Sequence, residues 1–204
     1  AATKSKWRQE DGKAIQGPMQ GEYLDDIPSQ QMTLGSWIQL HPNTLILQRD
    51  SEYDAKYETM KGFAGGWTKT TALKTDTVSW QPKSWIVGVL ADDKAKAYDW
   101  RALRRVRVVN DTVGNTSDVV LVEPDMKSFH VYDRKVGGKI LTFQPSNGVE
   151  FLYDKQTHSI WNYYGECTEG PLKGKRLTPL RAYQEFLESW CTFHPNTTRM
   201  TIAG

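Results

Sequence analysis

The sequence predicts an α+β protein that is predominantly antiparallel β: a small meander or barrel-like sheet capped by a C-terminal helix. Two observations favour this fold class. Short apolar runs follow one another closely between residues 85 and 164, and polar or glycine-bearing turns separate them. A helical pattern near the C-terminus has a counterpart near the N-terminus, which predicts a repeated turn-plus-helix tail.

The β-rich part begins at Trp85, where the texture of the sequence changes. The turns at 91–93, 113–117, 136–138 and 145–148 are short and polar or contain glycine, which is typical of antiparallel hairpins. We therefore predict strands at 85–90, 94–100, 106–109, 118–123, 128–134, 139–144, 149–155 and 158–164.

Two segments, residues 17–44 and 170–197, align without a gap at an offset of 153 residues. Twelve of the 28 aligned positions are identical, and both segments end in the phrase S-W-x-x-x-H-P-N-T. Identity over so long a block indicates internal duplication. The structural residues of this repeat are Trp37 and His41 in the first segment and Trp190 and His194 in the second.

The second segment has the clearer helical pattern. Its apolar face is formed by Tyr183, Phe186, Leu187, Trp190 and His194. The proline after the histidine should end the helix, because the residue before proline disfavours helical backbone. A histidine in the last turn of a helix commonly packs there and bonds terminal carbonyls, and we prefer this interpretation to a metal site.

The repeat predicts the domain organisation. Residues 1–47 are interpreted as the tail of an upstream, incomplete module, residues 48–84 as a linker, and residues 85–204 as a complete β-rich module with its terminal helix. Because the tail lacks a β front of its own, we expect its apolar helix face to pack against the module or against a partner chain. An upstream module or a partner chain could supply the missing β front.

Charge and hydropathy exclude two classes of partner. The chain has 26 basic and 24 acidic residues, so there is no global field for nucleic acid. No run approaches the roughly 18 apolar residues of a transmembrane span. We therefore predict neither a nucleic-acid partner nor a membrane-spanning segment.

The segment E-P-D-M-K-S-F-H contains a possible ligand set for copper or a divalent ion: Glu123, Asp125, Met126 and His130. The alternative, which we favour, is a polar turn after a buried strand. Asn110 and Asp111, in V-N-D-T-V-G, are the other candidates for acid–base chemistry or ligation. The same two residues are equally typical of a turn, because their side chains bond their own backbone.

Cys167 and Cys191 are the only cysteines in the chain. Their counterparts in the first segment are Ala14 and Ile38, so both thiols are replaced together by apolar residues. Replacement of both thiols together is what we expect of a pair that forms a disulfide in an oxidising compartment. Two unpaired, buried thiols are the alternative.

The elements AKAY, VNDTVG, YDRK, YDKQTHSIW, GPLKG and HPNT occur in this order within residues 85–197. In this order they resemble a family of proteins of unknown function, number 3179. The resemblance implies an exported bacterial or archaeal protein, often lipid-anchored, with no agreed activity. Many members carry Cys-x-x-Cys after the strand predicted at 118–123, and those two positions fall here on Glu123 and Met126. A thiolate pair can bind soft metals or carry out redox chemistry, and this chain lacks both thiols there.

Two function classes remain open. The first, which we prefer, is a non-catalytic binding or structural module of an exported tandem-repeat protein in the periplasm, at the cell surface or in the medium. The second is a metal-dependent redox or hydrolytic enzyme that uses residues 110–111 and 123–130. We predict no cofactor for the first class, and a metal ion is compatible with the second.

Overall fold

The computed structural model describes residues 3–9, 11–25, 29–56, 79–145 and 151–201. Over these residues the chain is β-rich, with antiparallel sheets and a C-terminal helix, which confirms the predicted fold class. The helices are α1 (Leu34–Leu40), α2 (Trp100–Val106) and α3 (Leu187–Phe193), with a 3-10 turn at Ser51–Tyr53. The strands are β1 (Lys6–Trp7), β2 (Ala14–Gln16), β3 (Trp85–Ala91), β4 (Lys94–Asp99), β5 (Val108–Val113), β6 (Thr116–Val122), β7 (Phe129–Asp133), β8 (Lys135–Val136), β9 (Lys139–Ile140), β10 (Phe143–Pro145), β11 (Leu152–Asp154), β12 (Ile160–Trp161), β13 (Cys167–Glu169), β14 (Thr178–Pro179), β15 (Arg181–Phe186) and β16 (Thr198–Arg199).

Three four-stranded sheets build the body of the protein. We call them the front sheet (order β15-β3-β4-β16), the middle sheet (β14-β7-β6-β5) and the back sheet (β10-β11-β12-β13). Strand β16 runs parallel to β4, and the other neighbours in these sheets are antiparallel. The expected barrel-like closure is wrong for the described residues, because the sheets pack face to face and stay open at their edges.

The middle sheet is covered on both faces. Because side chains alternate along a strand, Val120 and Val122 of β6 join a core against the front sheet, while Val119 and Leu121 join a core against the back sheet. We call these the front core and the back core. All four side chains are fully buried, which accounts for the continuous apolar run in this strand.

Several predicted strand boundaries change, and the strands expected at 149–155 and 158–164 shorten to β11 and β12. Residues 109–114, for which turn chemistry was one interpretation, belong mostly to β5, whose six residues pair with β6. The reversal comes later, at Gly114, whose φ of +60 suits a tight turn. The strand expected at 106–109 starts only at Val108, because α2 continues through Val106, and the strand expected at 139–144 is split between β9 and β10.

Helix α3 covers the outer face of the front sheet and starts later than the helical periodicity predicts. Tyr183 and Phe186 lie on β15 instead, since residues 181–186 form six consecutive pairs with β3. Trp190 of α3 is fully buried against this sheet. A Cβ atom at Gly88 would lie 2.2 Å from the Trp190 ring, so glycine is required beneath the indole.

Helices α1 and α3 end in the same way. Trp37 and His41 have ring centroids 4.2 Å apart, as do Trp190 and His194. The indole Nε1 donates to Thr44 Oγ1 at 2.7 Å in the first case and to the corresponding threonine at 2.7 Å in the second. Both histidines have φ −128 and ψ 68 and follow the last helical residue. The phrase S-W-x-x-x-H-P-N-T is therefore the chemistry of one helix end.

The two helices differ in what covers them. Trp190 has no exposed surface and Leu187 is 3% exposed, whereas Trp37 is 39% exposed and Leu34 is 53% exposed. Of the two expected coverings for this apolar face, the module does not provide one, and covering by a partner chain stays a prediction. The N-terminal segment is instead attached by polar groups around the start of α1, described below.

The described residues contain no helix that is both long and apolar enough to cross a membrane. Of the predicted linker 48–84, residues 57–78 lie outside the described residues.

The two tryptophans give a matched stability test. Trp190→Ala should lower the free energy of unfolding by about 3–5 kcal/mol, because it leaves a large cavity over Gly88. Trp37→Ala should cost about 1 kcal/mol, since the indole is partly in solvent and donates one hydrogen bond. Urea unfolding of both variants measures the difference. Equal losses would contradict the assignment of Trp190 to the core and Trp37 to the surface.

Candidate functional site

A buried polar cluster lies where β6 ends and β7 begins. Leu121 pairs with His130, so Glu123, two residues further along, emerges on the same face and diagonally across from the histidine. The carboxylate Oε1 of Glu123 lies 2.6 Å from Nε2 of His130. Two of the predicted candidates are therefore in direct contact, and both are buried.

The other carboxylate oxygen of Glu123 has a distant partner. Ser36 of α1 donates its hydroxyl to Oε2 at 2.9 Å, across 87 residues of sequence. Sequence reasoning missed Ser36. Its repeat counterpart, Ser189, donates to Glu185 within its own segment, so the repeat gives no signal for the long-range contact.

Asp125 organises the turn between β6 and β7. Its Oδ1 accepts hydrogen bonds from the backbone N–H groups of Lys127 (2.9 Å) and Ser128 (2.8 Å). Its Oδ2 accepts from the Ser128 hydroxyl at 2.6 Å and from the Thr33 hydroxyl at 3.0 Å. Burial alone would raise the pKa of Asp125, but these hydrogen bonds outweigh burial and lower the pKa below its ordinary value. The backbone of this segment is a polar turn, as in the interpretation that we favour from the sequence.

The same turn holds the N-terminal segment. Thr33, the N-cap of α1, donates its backbone N–H to Ser128 Oγ at 2.9 Å. Next to this bond, Phe129 donates its backbone N–H to the carbonyl of Gln31 at 3.1 Å. Gln31 and Phe129 form an isolated antiparallel bridge. Gln30 Nε2 donates to the Tyr132 hydroxyl at 3.0 Å. We call this set of contacts, with the Ser36–Glu123 bond, the joint.

His130 is enclosed by aromatic rings. Its ring stacks on Tyr132 at 6.0 Å and meets the edge of Tyr164 at 5.6 Å. Among the described residues, no group bonds its Nδ1. Burial raises the pKa of both tyrosines, and the negative charges of Glu123 and Asp125 raise the pKa of Tyr164 further.

A cavity of about 510 Å³ opens beside the cluster. It lies between α1 and the body of the protein, and its lining comprises Ser36, Gln39, Glu123, Pro124, Asp125, Phe151, Asn162, Tyr163 and Tyr164. Arg107 donates to the Tyr163 hydroxyl at 2.7 Å and thereby fixes one wall. The cavity has two carboxylates and two phenols in its lining.

The order of the groups decides what chemistry they can perform. In acyl-transfer sites a histidine lies between the serine and the carboxylate, and takes the proton of the hydroxyl. Here Glu123 lies between Ser36 and His130, so the histidine does not contact the hydroxyl. The cluster is therefore not a nucleophile–base–acid triad.

The four predicted metal ligands are not gathered around one point. Met126 has φ +57 and packs against the front core, on the opposite side of the sheet from His130. Within the described ranges, no group of three or more histidine, cysteine, aspartate or glutamate side chains is arranged to hold a metal ion.

Asn110 and Asp111 lie apart from this cluster. They pair with Val119 and Asp118, about 13 and 17 Å along the chain direction of β6 from Glu123 at the usual strand rise. Asn110 holds β10 in place, because its side chain donates to and accepts from the backbone of Phe143, both at 2.7 Å. Asp111 forms an ion pair with Lys96 at 2.7 Å. The two predicted groups of site residues are thus not brought together.

Both cysteines are free thiols. Cys167 belongs to the back core, whereas Cys191 lies on α3 and packs against the cluster on the outer face of the front sheet. The disulfide considered from the sequence is not formed, because the two thiols lie in different core clusters.

The repeat histidines, His41 and His194, are helix-end residues. His194 is hydrogen-bonded to the Tyr183 hydroxyl at 3.1 Å. Burial lowers the pKa of His194, and the positive charge of Arg181 lowers it further. His41 is exposed beside Trp37.

The comparison with family models gives one match, to "Protein of unknown function (DUF3179)", and it spans residues 1–197. The chain belongs to the DUF3179 family. The match also includes residues 1–84, of which the sequence resemblance interprets residues 1–47 as the tail of an upstream copy. No curated protein and no solved structure shows a significant match. Because the function of the family is unknown, membership does not identify an activity for this chain.

A second buried polar group in this DUF3179 member lies between β4 and β6. Asp118 has no exposed surface, and Tyr98 donates its hydroxyl to Oδ2 at 2.8 Å. Within the described part of the chain, Oδ1 has no hydrogen-bond partner. Burial raises the pKa of Asp118 to about 6, and the nearby Asp111 carboxylate adds to the effect, whereas the Tyr98 hydrogen bond and Lys96 oppose it.

Asp118 should make the protein less stable as pH rises. Its folded pKa lies above the unfolded value of 3.8, so its favourable contribution is complete below pH 4 and is lost as pH rises through about 6. The loss is at most about 3 kcal/mol for a shift of this size. Asp118→Asn should remove this slope, measured as the free energy of unfolding in urea between pH 4 and pH 7.

Tyr98→Phe is the matched control, since it removes the hydroxyl and keeps the carboxyl group. This variant should retain the slope, because an unassisted carboxylate is even harder to bury. Identical pH profiles for the parent chain and Asp118→Asn would contradict the assignment.

Proposed function

We propose that this chain is a non-catalytic binding module of a larger, multi-module extracytoplasmic protein. In this proposal the Glu123–Asp125 turn is a structural joint that holds α1 against the body and presents its apolar face to a partner. The observation that carries the proposal is the occupancy of the two carboxylates. Each of their four oxygens already accepts from, or contacts, a protein group: His130 and Ser36 for Glu123, and Ser128 with Lys127 and Thr33 for Asp125.

Burial supports a structural role for these groups. An ionised side chain that is buried needs partners, and removal of one partner is strongly destabilising. If α1 moved away, Glu123 would lose the Ser36 hydroxyl and Asp125 would lose the Thr33 hydroxyl. Because Glu123 is buried, the cost of leaving its carboxylate without this partner favours the attached position of α1, and the partly exposed Asp125 contributes less.

The location and the tandem organisation are parts of the proposal. The resemblance to exported proteins supports a site outside the cytoplasm, and the repeated helix end supports an origin by duplication of a module. Fractionation of source cells would check the location, because recovery of the protein in the cytoplasmic fraction would contradict it.

The cavity beside Glu123 favours a second candidate, a metal-dependent enzyme that binds a small molecule between α1 and the body. A metal ion would have to displace Ser36 or Ser128 from the carboxylates to reach them. For this reason we prefer the joint.

The joint can be tested at Ser36. Ser36→Ala removes the hydroxyl that Glu123 accepts, and hydrogen bonds to charged groups contribute about 1.5–3 kcal/mol. The amides of α1 should then exchange with solvent deuterium at least about tenfold faster, while those of β6 and β7 keep their rates. Hydrogen–deuterium exchange with mass spectrometry reads the two regions separately.

Ser189→Ala is the matched control. Ser189 occupies the corresponding position of α3 and bonds Glu185, so its loss should leave the exchange of α1 unchanged. If Ser36→Ala and Ser189→Ala had the same effect on α1, or if neither had any, the joint would be rejected.

Metal titration separates the two functions. We expect no stoichiometric binding of Zn²⁺, Cu²⁺ or Fe²⁺ that depends on Glu123 when the full chain is studied by calorimetry. Glu123→Gln, which keeps the shape and removes the charge, is the comparison. One equivalent of tightly bound metal that disappears in Glu123→Gln would favour the enzyme.

A further inference from the structure

Helix α1 and the residues after it form an uncovered apolar surface. Its members are Leu34, Trp37, Ile38, Leu45 and Leu47, all of them exposed, and we call it the α1 surface. Residues 28–48 contain no Asp, Glu, Lys or Arg, although a quarter of the chain is charged. Depletion of charge combined with exposed aromatic and aliphatic side chains is typical of an interface core.

The C-terminal segment contains a covered version of the same surface. At the offset of 153 residues, Leu34, Trp37 and Ile38 correspond to Leu187, Trp190 and Cys191. These three residues pack on the outer face of the front sheet, in one cluster with Ile86 and Ala97.

The residues after the two helices also differ in how they are packed. Residues 45–47 correspond to 198–200, and Thr198–Arg199 form β16, which adds to the edge of β4 as a parallel strand. Met200 then donates its backbone N–H to the carbonyl of Ala97 at 2.9 Å and enters the front core. Met200 is 6% exposed, whereas its counterpart Leu47 is 98% exposed.

We infer that the α1 surface is a docking site for a strand pair of the β3–β4 type, supplied by another module of the same kind. The helix would lie on the outer face of that pair, and residues 45–47 would add to its free edge as a parallel strand. This inference rests on the proposed binding role and names the partner.

The chemistry of the partner is specific. The strand beneath Trp37 needs glycine at the ring, as Gly88 is needed beneath Trp190, with aliphatic residues on either side of it. The neighbouring strand needs an edge that is free to pair. A second folded copy of this chain offers neither, because α3 and β16 already cover its front sheet.

A tandem chain tests the inference directly. Residues 79–158 of this protein are placed ahead of Ser5, and residues 5–204 are kept whole. This junction preserves the register, since Ser5 Oγ accepts from the backbone of Met19 as Ser159 Oγ accepts from the backbone of Leu172. The added residues contain no cysteine, so Ile38→Cys can serve as the reporter of coverage.

The readout is the labelling rate of the thiol that Ile38→Cys introduces, measured against the same chain without this substitution. Labelling should be at least about tenfold slower in the tandem chain than in the single chain with Ile38→Cys. Gly88→Leu in the added strand pair alone should restore fast labelling, because its side chain would occupy the space of the indole. Fast labelling in the tandem chain without Gly88→Leu, whether or not the added strands fold, would overturn the inference.

A measurement on the unmodified chain excludes the other occupant. Sedimentation should find a monomer. A dimer that dissociates in Trp37→Ala would mean that two α1 surfaces cover each other, and the inference would be wrong. The joint is read from α1 amides in the single chain, and the docking is read from the introduced thiol in the tandem chain, so each proposal can fail alone.

Discussion

Burial of the middle sheet on both faces is the constraint from which the rest of the protein follows. Its central strands, β6 and β7, leave no side for water, so each buried polar side chain on them must find a protein partner or stay neutral. Tyr98 meets half of that need for Asp118, whose pKa is raised, and His130 meets half of it for Glu123. For Glu123 the other half is met from outside the sheet, by Ser36 of α1. The attachment of the N-terminal segment is thus a consequence of placing an acid at the end of a doubly covered strand.

The sequence predicts those parts of the fold that depend on neighbours in the chain. Short apolar runs between turn residues place β3, β4, β6 and β7 well, because each is half of a local hairpin whose pattern is complete in the sequence. The helix end is also local, since Trp, His and Thr lie within seven residues and contact one another. The start of α3 is not local. Residues 181–186 have helical periodicity, yet pairing with β3 satisfies six consecutive residues and overrides that preference.

In the candidate site too, contacts within a hairpin can be predicted from the sequence, and contacts between distant segments cannot. Glu123 and His130 were both candidates, and the β6–β7 hairpin brings them together. Asn110 and Asp111 were grouped with them on a shared polar character, but the register of β5 against β6 sets them at the far end of the sheet. Ser36 could not be found, because a serine on a helix bears no mark of a glutamate 87 residues away. Only the packing of α1 on the body reveals it.

The contacts at the two ends of α1 affect how a partner would bind this helix. A helix of seven residues is too short to persist by itself in water. Here Thr33 caps its start, and the indole of Trp37 is tied to Thr44 beyond its end and packs on His41. A partner that binds α1 would therefore meet a helix that is already ordered. Association would not have to order a disordered peptide. The loss of conformational entropy that weakens the binding of disordered segments would therefore be largely absent.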